Sequence, residues 1–592
     1  MENLRGARRA SLTARCDPTA RVRAFLAEDG MTIAYEAAVE ALTKPGGMFE
    51  VTEADVRGTR MKVFKSTPPS MRMLFALAKL RAAQEFLVYE DERWTFGRVA
   101  ETVDAIGNAL VTHYGVKKGD RVAIGMRNFP EWIAAFAAIT SVGGIAVLLN
   151  AWWTPDELAY GLEDSGAKLL VGDLERIERA AGALERLDIR ALAVRSEGKP
   201  LPPRTDRYED VVKLGAPLPE VAITYDDDAT ILYTSGTTGH PKGAVSTHRA
   251  VLSSLGAFAC RAAVQAMRFP KDKEAQTHPT AFILTVPLFH VTGCVAVMLT
   301  SFAAGTKLVM MYKWDPERAL QLIERERVTN FVGVPTMAWD LLESKAFGKY
   351  DTSSLVSVGG GGAPAPPQLV HRIDKSFKGK GRPNIGYGMT ETNAYGPQNA
   401  GDDYVRKPTS AGRTVPVVEV RVTNPEGKVL GTGEVGEIWS RGPHLIRGYW
   451  NKPEATAQTI VDGWLRSGDI GRIDDEGFVY VEDRAKDMVL RAGENVYCAE
   501  VEAAIYEHPA VYECAVFGLP HERLGEEVAA AIHLRAGMSL SEDELRAHLT
   551  RRIAGFKVPS VIEWKPEALP RNPAGKILKR ELRDALAKAR AK

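Results

Sequence analysis

The sequence predicts an α/β protein with a large layered N-terminal domain, a β-rich subdomain and a small α+β C-terminal domain. Three observations predict it. From Met71 to about Ile385, apolar strand-like runs alternate with segments of helical period, the pattern of parallel strands covered by helices. Near residue 412 the text changes to short strands separated by Asn424-Pro425, Gly431–Gly433 and Asp475–Gly477. Asp483–Asp487 is then charged and lacks apolar periodicity, and a compact helix-and-strand segment follows to Leu586. At 592 residues and 64.6 kDa the chain exceeds a single typical domain. The boundaries expected are an extension over 1–60, the large domain over 61–483, a hinge at 484–487 and the small domain over 488–592.

Taken in order, residues 1–60 are a basic tail, a helical run around Tyr35–Leu42 and a Pro45-Gly46-Gly47 turn, read as an extension lying on the main domain. Arg93–Phe96 reads as a strand-turn, Arg98–His113 as a helix, and Gly119–Ile124 as a turn into a buried strand. Trp132–Thr154 carries no charge and is long enough to span a bilayer. Gly143-Gly144 divides it and Ile-Ala-Val-Leu-Leu follows, so a buried helix, turn and strand are expected. Pro279–Thr306 is similar, with Pro287, His290 and Gly293 expected to break it. Val415–Val422, Glu434–Trp439 and Phe478–Val481 read as short strands.

Bulk properties exclude several classes. Lys+Arg 76 against Asp+Glu 75 leaves a net charge of +1, with no global basic face for nucleic acid. The five cysteines (Cys16, Cys260, Cys294, Cys498, Cys514) are odd in number and lack CxxC spacing, against a disulfide framework or zinc site. A cytoplasmic location is the expectation. Met1–Arg23 has arginines but no apolar core segment, so no secretory signal is read. Transient contact with a membrane surface is compatible with the sequence, and a homodimer is expected on base rate.

The stretch most charged with chemistry is 231–247. Two apolar residues and Tyr233 end a short strand; Thr234, Ser235, Thr237 and Thr238 then alternate with Gly236 and Gly239, followed by Lys242. Glycines let successive N–H groups point into one concavity, and hydroxyls and a mobile ammonium add to it, which suits a polyphosphate. It is not a Walker A loop, because Pro241 precedes Lys242 and Gly243 follows it, so no helix starts in that register.

Tyr233 to Gly243 resembles the signature loop of the adenylate-forming superfamily, which includes acyl- and aryl-CoA synthetases, peptide-synthetase adenylation domains and beetle luciferases. Five motifs lie in that family's order and spacing from about residue 70 onward. The resemblance implies the adenylate-forming fold with a mobile small domain, and ATP, Mg²⁺ and coenzyme A as ligands. It implies ATP/AMP binding by the loop and by Gly386, Tyr387, Gly388, Met389, Thr390 and Glu391. Tyr387 would stack adenine, Thr390 would donate to a phosphoryl oxygen, and Glu391 with Thr234 would hold Mg²⁺ through hard oxygens. Gly359–Gly362 would let backbone approach the adenine (Gly361) and the acyl group (Gly360).

Asp469 is implied as the ribose ligand, Arg484 as a ribose contact and Lys486 as the pivot. Phe289-His290 matches the aromatic-His element beside the substrate carboxylate, with His290 orienting the acid; a carboxylate is already ionised and needs no general base. Phe289, Val291, Thr292, Gly333 and Gly360 would shape the acyl pocket. Lys576, in Asn572–Leu582, would face the carboxylate and α-phosphate, and Gly493 and Lys557 would meet CoA. Cys498 replaces a proline common in the family, which raises the expectation of a thiol sensitive to oxidation or alkylation.

The expected activity is an acid–CoA ligase working through an acyl-adenylate, catalysed by Lys576, His290, Glu391, Thr234 and Lys242. The first expected substrate is a medium- or long-chain fatty acid and the second an aryl or arylpropenoic acid. A CoA-independent adenylating enzyme, a non-catalytic adenylate-binding scaffold and an NTPase are the competing readings. Pyrophosphate release, phosphate release or neither separates an adenylating enzyme, an NTPase and a scaffold.

Overall fold

The computed structural model describes residues 33–234, 241–269, 278–377, 381–492, 494–573 and 575–590. Two eight-stranded sheets form the large domain. In the first, the strands run in the order 448–449, 242–247, 228–234, 145–148, 121–125, 169–173, 190–194 and 205–207. The last six are parallel to one another, and 242–247 and 448–449 add antiparallel at the other edge. In the second, strands 382–386, 357–361, 330–333, 281–284, 307–310 and 85–89 are parallel, with 398–400 and 92–95 antiparallel at its edges.

Strands such as Arg121–Gly125 and Leu169–Asp173 are almost wholly buried, as a sheet covered on both faces requires. Local signals set the helix ends. Thr154 and Glu157 form a capping box with Pro155 at the first helical position, and Gly166 closes that helix in the left-handed region at φ 60°. The stretch that mimics a membrane span is helix Pro130–Ser141, the Gly143-Gly144 turn and strand Ile145–Leu148. Trp132 and Phe136 of this helix stack at 5.4 Å and sit in one core with residues of both sheets. Full burial of such rings supplies about 2–3 kcal/mol each.

The second apolar stretch departs from expectation. Thr292–Leu299 is a wide helical turn that runs on into helix Thr300–Ala304, with Gly293 inside it. Gly293 does not break this helix; it lets the helix approach Pro287 in the loop after strand 281–284, since a Cβ there would collide with the Pro287 carbonyl. Among the described residues one helix, His248–Arg268, is long and apolar enough to cross a membrane, and most of that stretch is buried inside the protein.

A third, antiparallel sheet carries strands 410–412, 479–484, 464–473, 436–441 and 419–423. The small domain is a second core: strands 494–496, 489–491, 525–534 and 511–521, with 561–565 parallel to 525–534, covered by helices Cys498–Tyr506 and Glu542–Thr550. At the start of the chain, helix Tyr35–Thr43 and hairpin 51–64 lie on the long helix His248–Arg268, so the hairpin straddles residue 60.

Candidate active site

A cavity of about 1700 Å³ opens where strands 228–234, 357–361 and 382–386 end and the third sheet and small domain meet them. Ligand sites gather at the carboxyl ends of parallel strands, where the backbone diverges. Of the expected residues, Thr234, Lys242, Phe289, His290, Val291, Thr292, Gly360, Gly361, Gly386, Gly388, Met389, Thr390, Glu391, Asp469, Arg484, Lys486 and Lys576 line it. Ser235, Gly236, Thr237, Thr238, Gly239 and Gly493 lie outside the described residues.

Gly333 and Tyr387 lie behind the wall rather than on it, so the face that Tyr387 was expected to stack on adenine is not presented to the cavity, and Tyr387 meets the wall through Asp469. A Cβ on Gly360 would collide with the Gly333 carbonyl, one on Gly359 with that of Asn384, and one on Gly361 with that of Gly386. The glycine run therefore answers first to the crowding of three neighbouring strands, and the open wall beside it is a consequence.

The groups expected to meet the nucleotide form a connected set. Tyr387 donates its hydroxyl to Asp469 Oδ2 at 2.6 Å, and Arg484 Nε lies 3.3 Å from Asp469 Oδ1. Burial and the Asp469 charge together push the Tyr387 hydroxyl far above its ordinary pKa, so it stays a donor. Strands 464–473 and 479–484 pair Asp469 directly with Arg484, which is why residues from two motifs converge.

Glu391 Oε1 accepts from the Tyr449 hydroxyl at 2.7 Å, and Lys242 Nζ lies 4.8 Å from the centre of the same ring. Tyr449 was not expected from its local sequence. Pairing of strand 448–449 with 242–247 delivers it to the site. Below the loop, Asp164 accepts from Tyr233 at 2.8 Å and pairs with Lys452 at 3.0 Å, while Tyr160 donates to the Pro241 carbonyl at 2.9 Å.

His290 is held by the start of the helix that follows it: the Thr292 N–H donates to its Nδ1 at 3.3 Å. The neutral ring then carries its proton on Nε2, a donor for an acid oxygen. Burial, with Lys576 adding repulsion, pushes His290 down to about 4, so it is uncharged at neutral pH. Burial also lowers Lys576 to about 8, with Arg484 the next contributor. Asn572 Oδ1 accepts the Lys576 backbone N–H at 2.9 Å and shapes the turn that aims this lysine.

Lys486 shares the wall, its pKa lowered by burial and by Arg484. Beside it, Asp483 accepts the backbone N–H of Cys498 and that of Arg484, the latter at 2.8 Å, tying the hinge to the first helix of the small domain. Cys498 is 0% exposed and donates its thiol to the Asp487 carbonyl at 3.0 Å; burial pushes the thiol well above its ordinary pKa. The expected reactivity of Cys498 is corrected accordingly, since a buried protonated thiol is inert. Lys557 lies off this cavity, paired with Glu500 at 2.7 Å.

Glu391 and Thr234 line one cavity, the Thr234 hydroxyl donating to the Lys242 carbonyl at 3.4 Å, and among the described residues Glu391 has no hydrogen bond on Oε2 beyond the Tyr449 contact on Oε1. A hard-oxygen donor pair of this kind suits Mg²⁺, which takes few protein ligands and shares the rest with phosphate and water.

Comparison with known proteins agrees with this architecture. Residues 51–450 match the family model of the AMP-binding enzyme, and residues 500–576 that of the AMP-binding enzyme C-terminal domain. The long-chain-fatty-acid–CoA ligase FadD13 of Mycobacterium tuberculosis is 34% identical over 501 residues, covering 83% of this chain and 93% of its own. The feruloyl-CoA synthase of Amycolatopsis sp is 35% identical over 495 residues with the same coverage. The solved structure of o-succinylbenzoate CoA synthetase from Bacillus subtilis, in complex with its acyl-adenylate intermediate, superposes with a TM-score of 0.72 at 29% identity, over 87% of this chain and 98% of that one. With both halves of the chain matched and the same two-domain fold around the cavity, the protein belongs to the AMP-binding enzyme family.

Proposed function

We propose that the protein is an AMP-forming acid–CoA ligase acting on a medium- or long-chain fatty acid, in the cytoplasm. In the first step a carboxylate oxygen attacks the α-phosphorus of ATP and the bond to pyrophosphate breaks, leaving acyl-AMP. Lys242 and the loop from Thr234 to Gly239 grip the triphosphate, Asp469 (with the Tyr387 hydroxyl donating to it) and Arg484 hold the nucleoside, and Lys576 offsets charge growing at the reacting phosphorus. His290 donates from Nε2 to orient the acid. Glu391 and Thr234 would hold Mg²⁺, which would supply neutralisation of phosphate charge there. In the second step the small domain turns about Lys486, the CoA sulfur attacks the acyl carbonyl and AMP leaves.

The observation that carries the chain-length reading is the cavity's length. Beyond His290 it follows one face of the helix His248–Arg268, touching Leu255, Phe258, Ala262, Ala266 and, just past the helix, Phe269. At the helical rise per residue that is a run of about 21 Å, suited to an extended chain. The feruloyl-CoA synthase is as similar as the fatty-acid ligase, which makes aryl acids the second arm of the test. The four described cysteines, Cys260, Cys294, Cys498 and Cys514, are free and buried, in keeping with a reducing compartment.

The test is ATP–pyrophosphate exchange with a panel of acids, followed by AMP release with and without CoA. Exchange with saturated fatty acids and CoA-dependent thioester formation are expected. Exchange confined to aryl acids would replace the substrate, and absence of exchange with every acid would end the ligase reading.

A further inference from the structure

Three guanidinium groups converge on the ring of Tyr35: Arg261 at 5.4 Å, Arg268 at 5.7 Å and Arg413 at 3.8 Å from its centre. They are 4%, 7% and 9% exposed. Among the described residues the buried carboxylate that serves them is Asp403, which pairs with Arg268 and lies 3.4 Å from Arg413; the exposed Arg406 reaches it too, at 3.8 Å. At the surface Glu36 takes a share of Arg413 at 3.3 Å. Among the described residues buried positive charge is therefore in excess, and Arg261 is the member with no carboxylate within ion-pair distance, acting on Asp403 only at longer range. A buried charge of this kind calls for a partner.

Arg261 is also the member on the cavity wall. Its Nη1 donates to Gln265 Oε1 at 2.9 Å and its Nη2 to the Gln398 carbonyl at 3.2 Å, while its Nε finds no partner among the described residues. Across the cavity, period-two alternation turns Asn330, Ser357 and Asn384 to the same side of their strands, with Asn384 donating to Ser357 at 2.7 Å. Arg382 on the same wall brings no spare charge, being paired with Asp402 and, at 3.1 Å, with Asp374. The girdle lies away from the reaction centre. Ser254 donates to the Thr392 carbonyl beside Glu391, and Arg261 comes seven residues later on the same helix, a rise of about 10 Å.

We propose that this girdle reads a second carboxylate: the preferred substrate is a dicarboxylic acid whose distal group pairs with Arg261 while the other is adenylated. The proposal rests on the ligase reading above and narrows its substrate. A site built around a charged donor penalises an analogue without the matching acceptor, because the donor stays buried and unpaired.

The experiment measures kcat/KM for pyrophosphate exchange with a chain-length series of α,ω-dicarboxylic acids, each beside the monocarboxylic acid of equal length. The wild type is expected to favour a diacid of one matching length. R261M is expected to lower the diacid-to-monoacid ratio by about tenfold or more, and R261K by less, because lysine keeps charge but not the fork. The ratio is internal to each enzyme, so partial loss of folded protein does not move it, as a purely structural arginine would not. A monoacid preference in the wild type, or a ratio unchanged in both variants, would overturn the proposal and leave the ligase reading standing. Exchange with no acid at all would remove both.

Discussion

Tyr512 of the small domain donates its hydroxyl to Asp340 of the large domain at 2.8 Å, and Trp314 Nε1 holds the other Asp340 oxygen at 2.9 Å. Arg535 pairs with Glu343 at 2.7 Å nearby, and Thr336 reaches the Gly575 carbonyl, one residue before Lys576, at 3.4 Å. This interface fixes the small domain with Lys576 in the cavity. Y512F removes one hydrogen bond to a carboxylate, worth about 1 kcal/mol at a partly exposed site, or roughly fivefold. Adenylation should fall by that factor, while thioester formation from supplied acyl-adenylate should not. Equal loss in both half-reactions would mean that the contact serves the fold and not this arrangement.

Lys576 gives a pH signature. Burial lowers its ammonium to about 8, so the charge is present below that value and lost above it. kcat/KM for adenylation, which reports the free enzyme, should therefore decline as pH rises through about 8. K576A should reduce adenylation on the order of 10²–10³-fold and abolish the alkaline limb. An alkaline limb that persists in K576A would assign it to another group.

Lys486 lies in the turn closed by the Asp487 and Met488 N–H groups donating to the Arg484 carbonyl at 2.9 and 3.0 Å. Proline there fixes φ and stiffens the pivot. K486P should spare adenylation and stall the thiol step, read as acyl-AMP that accumulates on adding CoA. Undiminished thioester formation would remove Lys486 as the pivot.

Contiguous motifs were legible because one short segment supplies several groups to one place. Gly386–Glu391 and the strand end at Thr234 are of this kind, and alternating apolar and helical runs correspond to the two large sheets. Partners brought together by topology were not legible. Tyr449 meets Glu391 across 58 residues, Tyr233 meets Asp164 across 69 and Arg261 meets Gln398 across 137, and no local pattern marks Tyr449, Asp164, Arg261 or Gln398. Strand limits suffered for a different reason. The strand expected over Val415–Val422 spans Glu419–Thr423, because Val415, Val417 and Val418 are taken into the cluster around Tyr35 and Tyr395. Gly293 misled in the same way: its role is close approach to Pro287 within a helix, which sequence alone does not distinguish from a break.

Tyr449 offers the sharpest test of the candidate Mg²⁺ ligands. Its hydroxyl orients Glu391 at 2.7 Å, and burial with the Glu391 charge raises its pKa, so it remains a donor. Its ring also carries Lys242 at 4.8 Å. Y449F keeps the ring and the cation contact but leaves Glu391 unoriented, the kind of outer-partner loss that typically costs about 10–100-fold in metal affinity. Mn²⁺ titration by electron paramagnetic resonance, with a non-hydrolysable ATP analogue present, should show that weakening, and the Mg²⁺ concentration for half-maximal exchange should rise in parallel. Y449A should add a loss of ATP affinity through Lys242, separating the two contacts. If Y449F bound Mn²⁺ like the wild type, Glu391 would be oriented without Tyr449 or would not be the ligand, and E391Q in the same titration would decide between those two.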